Sequence, residues 1–397
     1  MVEQHGKTLV PQIRFAGFTD PWEQRKLGEL FEESDERASD REILSVSVAN
    51  GIYPASESDR ETNPGASLAN YKIVHFGDVV YNSMRMWQGA VDASRYDGIV
   101  SPAYVVARPN SEVYARFFAR LLRQPMLLKQ YQQVSQGNSK DTQVLKFDDF
   151  ASIGISMPAS ENEQCQIGAF FDRLDSLITL HQRKYDKLCV LKKSMLDKMF
   201  PKGGSLYPEI RFAGFTDPWE QRKLGELFEE HSEKDRDDLP ALTIIQGGGT
   251  VHRDESKRNL QFDRSSLSNY KVVDTGDFIV HLRSFEGGLE KATCYGLVSP
   301  AYHIFRGKNV DSDFYYLYFR SKRFIDVDLK PHVYGIRDGR SIDIEGMKTI
   351  FIPWTNLAEQ RQIGAFFDRL NSLITLHQRK LELLRNIKKS MLDKMFV

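Results

Sequence analysis

The chain has few cysteines and no long apolar segment. Its 397 residues include three cysteines, Cys165, Cys189 and Cys294, and no two of them have a CxxC spacing. Three cysteines are too few for a disulfide framework or a four-ligand zinc site. No segment approaches the ~20 apolar residues of a transmembrane helix, and the start MVEQHGKTLV lacks the apolar core of a signal peptide. We therefore expect a cytoplasmic protein with reduced cysteines and no membrane contact.

Net charge and catalytic motifs are also missing. The 54 Lys and Arg residues balance 54 Asp and Glu residues, whereas nucleic-acid-binding proteins usually carry a basic excess. The sequence contains no GxxxxGKS/T phosphate loop, no HExxH zinc motif and no GxSxG nucleophile elbow. It also contains no NPPF-like tetrapeptide of adenine methyltransferases. We therefore predict that this chain has no catalytic residues, no metal site and no cofactor of its own.

What the sequence does contain is a long internal repeat. The segment IRFAGFTDPWEQRKLGELFEE occupies residues 13–33 and recurs unchanged at 210–230. A second segment, EQCQIGAFFDRLDSLITLHQRK, begins at Glu163, and its close copy EQRQIGAFFDRLNSLITLHQRK begins at Glu359. Two copies are fewer than the three or so repeats that a solenoid needs. The order of body, long helix, body and long helix predicts a pseudo-symmetric protein with two lobes.

The second repeat indicates two long amphipathic helices. Ser160 with Glu163, and Asn356 with Glu359, predict capping boxes at their starts. At ~1.5 Å per residue, a helix of about 38 residues is roughly 57 Å long, too long to bury its apolar face within one lobe. We therefore predict that the helices pack against each other, antiparallel, as a coiled-coil spacer. The predicted packing residues recur every three or four positions: Ile167, Phe170, Leu174, Leu177, Leu188, Leu191, Met195, Ile363, Phe366, Leu370, Leu373, Leu384, Ile387 and Met391.

The two bodies have the patterns of mixed α/β domains. Short β-rich runs bounded by glycines, such as VVYNSM and FIVHLRS, alternate with helical segments. We predict an α/β (mixed α+β) fold with two pseudo-symmetric domains, separated by the two antiparallel helices. The predicted boundaries are 1–160 for the first domain, 161–202 for the central helix and linker, 203–357 for the second domain, and 358–397 for the C-terminal helix.

One loop that differs between the copies carries the residue types that read DNA bases. It follows the strand after a Gly-Asp pair in each body, and it combines arginine with aromatic, amide or hydroxyl side chains. Arginine recognises guanine, and Asn or Gln recognises adenine, through paired hydrogen bonds. The candidate DNA-binding residues are Asn82, Ser83, Arg85, Trp87 and Gln88 in the first body, and His281, Arg283, Ser284 and Phe285 in the second. A structural role is an equally good interpretation of the two aromatic residues.

A second candidate loop precedes each long helix, and its glycines would let the backbone approach a phosphate. Its candidate residues are Asn138, Ser139 and Lys140 in the first body, and Tyr334, Arg337 and Arg340 in the second. The overall charge balance also conceals a local excess, because residues 108–146 include seven basic and two acidic side chains. Zero net charge therefore does not exclude a DNA partner.

Taken together, these motifs resemble a known family. The repeated FAGFTDPWEQRKLGEL opening, the SPAY element of each body and the EQxIGxFFDxL helices are similar to those of specificity subunits of type I restriction-modification systems, over about Ile13 to Phe396. The resemblance implies two target-recognition domains, each reading one half of a bipartite, asymmetric double-stranded DNA sequence. It also implies two modification subunits, which carry S-adenosylmethionine and the adenine methyltransferase activity, and restriction subunits with motor and nuclease activity. No catalytic residues of the family carry over to this chain.

One rival interpretation is a two-lobed coiled-coil adaptor that binds proteins and no DNA. The absence of net positive charge favours it, and duplicated lobes with divergent loops could equally bind two proteins. A DNA shift assay at several salt concentrations separates the two interpretations, because binding through phosphates weakens as salt rises.

Overall fold

The computed structural model describes residues 9–58, 67–137, 143–255, 264–335 and 341–397. The chain divides into two compact units. Unit 1 comprises the residues up to Gln182 together with Arg379–Val397, and unit 2 comprises Arg183–Gln378. Each unit therefore contains one body and part of both long helices. Within the described ranges, no helix is long and apolar enough to cross a membrane.

The body of unit 1 alternates short strands with short helices and leads into the first long helix. Its elements in chain order are β1 (Glu23–Lys26), β2 (Phe31–Glu33), β3 (Leu44–Ser47), β4 (Gly51–Pro54), β5 (Lys72–Val74), β6 (Val79–Asn82), β7 (Val91–Ala93), β8 (Gly98–Val100), β9 (Tyr104–Pro109), α1 (Ala115–Leu121), α2 (Pro125–Val134), α3 (Phe147–Ala151), β10 (Gly154–Met157) and the long helix α4 (Glu161–Lys198).

An antiparallel sheet of four strands, in the order β2-β9-β6-β7, forms the centre of this body. Val79 of β6 pairs with Ala107 of β9 and with Ala93 of β7. Val79 and Tyr81 belong to the main hydrophobic core, whereas Val80 belongs to a second, smaller core. Because both faces are covered, β6 is a continuous apolar run rather than an alternating one. The loop that follows β6 therefore begins at the end of a strand that is packed on both faces.

Unit 2 repeats this order. Its elements are β11 (Glu220–Lys223), α5 (Leu224–Leu227), β12 (Phe228–His231), β13 (Leu242–Ile245), β14 (Gly249–His252), β15 (Lys271–Val273), β16 (Phe278–Val280), α6 (Ser284–Gly287), β17 (Glu290–Lys291), β18 (Gly296–Val298), β19 (His303–Gly307), α7 (Ser312–Phe319), β20 (Val333–Tyr334), β21 (Ser341–Ile342), α8 (Ile344–Lys348), β22 (Phe351–Trp354) and the long helix α9 (Leu357–Lys394). Its four-stranded sheet, β12-β19-β16-β17, has the same arrangement as that of unit 1. The predicted mixed α/β bodies and two long helices are confirmed.

The repeated opening segment and the start of a long helix meet in each unit. Arg14 donates two hydrogen bonds to the Glu163 carboxylate, at 2.6 and 2.7 Å, and Trp22 Nε1 donates to it at 3.4 Å. In unit 2, Arg211 donates to Glu359 at 2.6 and 2.8 Å. Both glutamates are buried. Half of the second predicted capping box forms, because Asn356 Oδ1 accepts the N–H of Glu359 at 2.9 Å. The carboxylates of Glu163 and Glu359 bind arginines rather than a backbone N–H, because two charge-assisted hydrogen bonds outweigh a single bond from a backbone N–H.

The end of α9 packs against the start of α4 within unit 1, and the two helices run in opposite directions. Lys388 of α9 contacts Asp175 of α4, and Arg385 donates a hydrogen bond to Gln182 at 3.0 Å. Residue numbers rise along α4 as they fall along α9, which makes the pair antiparallel as predicted.

The packing face of each long helix agrees with the predicted face except at three leucines. Most of the predicted packing residues are buried or half-buried: Ile167, Phe170, Leu174, Leu188, Met195, Ile363, Phe366, Leu370, Leu384, Ile387 and Met391. Leu177, Leu191 and Leu373 are exposed, so a packing role for them is wrong. Residues seven positions apart lie in one row along the helix. Residues 170 and 177 form one such row, residues 171 and 178 form the adjacent row, and both rows are apolar here. The spacing alone therefore does not decide which row faces the partner helix.

Candidate nucleic-acid interface

The first candidate loop of unit 1 is a tight turn that starts where β6 ends. The Oδ1 atom of Asn82 accepts a hydrogen bond from the N–H of Met84 at 3.0 Å, and the Ser83 hydroxyl donates to the carbonyl of Ala103 at 2.7 Å. The two side chains therefore hold the turn in place. Arg85 and Gln88 are exposed on it. They are the side chains of this loop that are free to reach a base edge.

Trp87 serves the turn itself. Its ring packs against the main core of unit 1, and Nε1 donates a hydrogen bond to the carbonyl of Met84 at 3.2 Å. Because the indole N–H already has a partner and the ring is half-buried, Trp87 stabilises the loop on the side that faces the core. The structural interpretation of this residue is the one that the geometry favours.

Two further segments of unit 1 adjoin the turn. The N–H of Leu145 donates to the carbonyl of Ser83 at 2.9 Å, and α2 packs against the turn at 86–88. These segments place two exposed lysines beside it, Lys129 on α2 and Lys146 after the second candidate loop. The basic excess of 108–146 was the signal that could have identified both. The predicted residues Asn138, Ser139 and Lys140 lie outside the described residues.

Much of that basic excess is used inside the protein. Arg108 donates to Glu36 at 2.8 Å, and Arg123 donates to a backbone carbonyl of β7 at 2.7 Å. Arg116 and Arg120 both donate to a carboxylate on α4. Among the described residues, Arg85 and the two exposed lysines provide positive charge that DNA could meet at this face.

The corresponding loop of unit 2 contains α6, and it exposes fewer of its predicted residues. Arg283 is exposed, whereas Ser284 is fully buried and its hydroxyl accepts the N–H of His281 at 2.9 Å. A base contact by Ser284 is therefore wrong, because its hydroxyl is used to start the helical turn. Phe285 packs against the core of unit 2. The aromatic residue again supports the loop.

His281 is half-buried at the start of this loop. Burial, and next the charge of Arg320, lower the pKa of His281 below its ordinary value of 6.5. Both effects favour the neutral imidazole over the charged form. Its position at the start of the loop is structural, since its Nδ1 accepts the N–H of Arg283 at 3.2 Å.

The second candidate loop of unit 2 is described only at its two ends. Tyr334 is exposed at the end of β20, while Arg337 and Arg340 lie outside the described residues. The helical turn at 324–329 packs against α6 and leads through the exposed Lys330 to β20. The chain therefore brings Arg283, Lys330 and Tyr334 to adjoining segments, as it does Arg85, Lys129 and Lys146 in unit 1.

No group of three or more His, Cys, Asp or Glu side chains in the described part of the chain is arranged to hold a metal ion. The exposed residues of the candidate loops, among them Arg85, Gln88 and Arg283, carry hydrogen-bonding and positively charged groups. Such groups are suited to contacts with base edges and phosphates.

Comparison with known proteins agrees with this chemistry. A family model described as a type I restriction modification DNA specificity domain matches residues 19–189. Two relatives come from Methanocaldococcus jannaschii. The type I restriction enzyme MjaVIII specificity subunit is 24% identical over 265 residues, which are 62% of this chain and 61% of that relative's length. The putative type I restriction enzyme MjaX specificity subunit is 21% identical over 359 residues, 82% of this chain and 79% of that relative.

The fold also has a counterpart among solved structures. The S subunit of a type I restriction-modification system from M. genitalium aligns with a TM-score of 0.57 at 12% identity. The alignment covers 98% of this chain and 99% of that subunit. At this level of identity the likeness concerns the fold, and it extends over both bodies and both long helices.

Proposed function

We propose that this chain is a non-catalytic DNA-specificity subunit of a type I restriction-modification system, as its similarity to the family model and to the two specificity subunits supports, and that it reads a bipartite DNA sequence, one half with each body. The observation that carries the proposal is the contrast within the repeat. The opening 13–33 is identical to 210–230, whereas the loops after β6 and β16 differ in length and composition. Identical opening segments suit a protein that binds two copies of one partner. Different loops suit a protein that reads two different half-sites.

The exposed residues of each loop provide the reading chemistry. Arg85 and Gln88 would contact base edges for unit 1, since arginine favours guanine and glutamine favours adenine. Arg283 and Tyr334 would do so for unit 2. Lysines beside these loops would contact phosphates, which fixes the position of the protein without reading sequence.

We propose that each unit also docks one modification subunit through its long-helix surface. Leu177 and Leu180 are exposed on α4 in unit 1, and Leu373 and Leu376, in the same sequence context, are exposed on α9 in unit 2. Exposed apolar pairs on a helix are typical of protein-binding surfaces. Two identical surfaces, one in each unit, suit two copies of one partner.

The modification subunits would bring S-adenosylmethionine and the methyl-transfer chemistry, and restriction subunits would join them for cleavage. A cytoplasmic location belongs to the same proposal, because the DNA target is there. Overall neutrality implies that this chain alone holds DNA weakly and that its partners add positive charge around the duplex.

Mapping of adenine methylation in a host that carries this chain and its modification subunits tests the proposal. We expect one asymmetric motif of two short specific parts separated by a fixed number of unspecified base pairs. The host with the modification subunits alone is the control and should lack the motif. Methylation with a single contiguous motif, or with none that depends on this chain, would reject the proposal and favour the adaptor.

A further inference from the structure

Both bodies rest on a long helix through the same close contact at a glycine. A Cβ atom at Gly168 of α4 would meet the backbone nitrogen of Phe117 at 3.1 Å, and one at Gly364 of α9 would meet that of Phe314 at 3.2 Å. Phe117 and Phe314 therefore occupy equivalent positions in the two units. Residues at the same sequence offset from Phe117 in α1 and from Phe314 in α7 are therefore equivalent. The same holds for residues at the same offset from Gly168 in α4 and from Gly364 in α9.

In unit 1, three arginines of the body converge on one carboxylate of α4. Arg116 donates to Asp172 with Nε at 3.0 Å and with Nη2 at 2.9 Å, and Arg120 donates to it at 2.8 Å. Arg95 lies 3.0 Å from the same carboxylate. Burial alone would raise the pKa of Asp172, but the arginines lower it below its ordinary value, so the carboxylate stays charged.

A second carboxylate one turn along α4 extends this contact to α9. Arg120 lies 2.8 Å from Asp175, and Lys388 of α9 contacts the same side chain. Six charged groups form one network, which we call the ionic anchor: Arg95, Arg116, Arg120, Asp172, Asp175 and Lys388. It joins the body of unit 1 to both helices that pass through the unit.

Unit 2 has the same helix contact without the anchor. Asp313 and Leu317 occupy the positions of the two α1 arginines, and Asp368 and Asn371 occupy the positions of the two carboxylates. Asp313 pairs with Lys291 of β17, within its own body, rather than with the helix. Within the described part of the chain, Asp368 forms no ion pair.

A cavity takes the place of the missing arginines. It has a volume of about 220 Å³, and its lining includes the four residues at the equivalent positions, Asp313, Leu317, Asp368 and Asn371, together with Lys291 and Thr293. The aspartates of body and helix that line this cavity carry like charges, so they do not attract each other. The body of unit 2 is therefore held to its helix by packing alone at this point, whereas that of unit 1 is also held by directed, charged hydrogen bonds.

We propose that Asp172 and Asp175 are positioning residues that fix the angle between the first recognition domain and α4, and that this angle sets the spacing at which the two half-sites are accepted. The inference rests on the proposed function and adds to it a specific control of spacer length. The first domain is held to its helix by the ionic anchor in addition to the Arg14–Glu163 pair, whereas the second has the Arg211–Glu359 pair without the anchor. Loss of the anchor would let the first domain tilt and accept a half-site that is displaced by one base pair.

The test uses the complete complex of this chain with its modification subunits. Initial rates of methyl transfer are measured on duplexes that carry the mapped target, and on duplexes whose spacer is one base pair longer or shorter. For Asp172→Asn we expect the preference for the natural spacer to fall about tenfold, the effect of losing one hydrogen bond to a charged group. Asp368→Asn, at the equivalent position, is the matched control and should leave the preference unchanged. Asp172→Glu retains the charge and should restore most of it.

A variant of unit 2 gives the converse test. Asp313→Arg combined with Lys291→Ala copies the unit 1 arrangement, and we expect it to pair with Asp368 and to increase the spacer preference. An Asp172→Asn complex as selective as the wild type, or an Asp368→Asn complex that loses as much, would overturn the inference while leaving the proposed function intact. If Asp172→Asn does not assemble, the unit 2 variant decides: a higher preference supports the anchor and no change overturns it. A wild-type complex with no bipartite target would overturn both the inference and the proposed function.

Discussion

A buried carboxylate holds the start of each long helix to the body beside it. Glu163 in unit 1 and Glu359 in unit 2 are both almost inaccessible to solvent, and each binds an arginine of the repeated opening segment. A buried charge is costly unless it is paired, so neither partner tolerates loss of the other. This requirement gives a physical reason for the unchanged opening segment in the two copies.

Glu163→Gln is therefore expected to destabilise unit 1 by about 3 kcal/mol, because it leaves the Arg14 guanidinium without its charged partner. Urea denaturation followed by circular dichroism measures the change in the free energy of unfolding. Glu161→Gln, at an exposed position in the same helical turn, is the control, with an expected change within about 0.5 kcal/mol. Equal effects of the two substitutions would contradict the role of the buried pair.

Single substitutions should distinguish residues that read bases from residues that bind phosphate. Arg85→Ala is expected to weaken binding of the natural target by about 1–3 kcal/mol and to relax the preference at one base pair of one half-site. Lys129→Ala, on the adjoining helix, should weaken binding to all sequences alike and reduce the dependence on salt. Competition binding of the complete complex against a panel of single-base variants separates the two effects. A uniform loss with Arg85→Ala would show that this side chain does not read a base.

Residue types alone did not reveal which side chains of the recognition loops are accessible. The pattern of Arg, amide and hydroxyl groups identified the loops after β6 and β16. Burial then separated Arg283, which is exposed, from Ser284, whose hydroxyl is used within the turn. The choice depends on how each turn is hydrogen-bonded, and neighbouring polar residues look alike in the sequence.

At the scale of secondary-structure elements, the long helices combine a buried seam with an exposed apolar surface. The period of the sequence predicted both helices and their antiparallel pairing. It did not assign the row of Leu177 and Leu373, because adjacent rows are both apolar. The structure leaves these leucines exposed, and the proposed docking of a modification subunit would account for an apolar row that the helix pair does not bury.

Leu177→Ser combined with Leu180→Ser should leave the fold intact and weaken the docking of one modification subunit. The same pair of substitutions at Leu373 and Leu376 should weaken docking of the other, and all four together should abolish both. Mass measurement of the assembled complex gives the number of modification subunits bound. Unchanged assembly of the fourfold variant would place the docking surface elsewhere.

Helix length should set the spacing between the half-sites. Inserting four residues after Gln182 and after Gln378, at equivalent points of α4 and α9, adds about 6 Å and slightly more than one turn to each helix, so the seam is nearly kept. We expect the preferred spacer to lengthen by about two base pairs of 3.4 Å each. The same insertion in the linker at 203–209 is the control and should not change it. Methylation mapping that shows an unchanged spacer in the helix variant would contradict this role of the helices.

At the scale of the whole molecule, the repeat predicted the organisation of the chain most directly. It gave two bodies of one type, and their sheets have the same strand order. The difference between the units was not predictable from the repeat. The ionic anchor of unit 1 joins residues more than 50 positions apart, so neither local pattern nor spacing indicates it, and it appears only when the body is folded against the helix.

The net charge of zero also has a different meaning at this scale. It is a sum over segments, and several arginines of the most basic segment are paired with carboxylates of the same unit. Within the described ranges, each candidate face presents exposed cations beside a hydrogen-bonded turn: Arg85, Lys129 and Lys146 in unit 1, and Arg283 and Lys330 in unit 2. Such a surface is suited to reading DNA that partner subunits help to hold.

The central claim is that each body reads its own half of the target through its divergent loop. Exchange of residues 82–98 for the corresponding loop of another specificity subunit, followed by methylation mapping, tests it most directly. We predict a new sequence in one half of the motif, with the other half and the spacer unchanged. The reciprocal exchange of 281–296 should change the other half alone. A change in both halves, or in neither, would contradict the account.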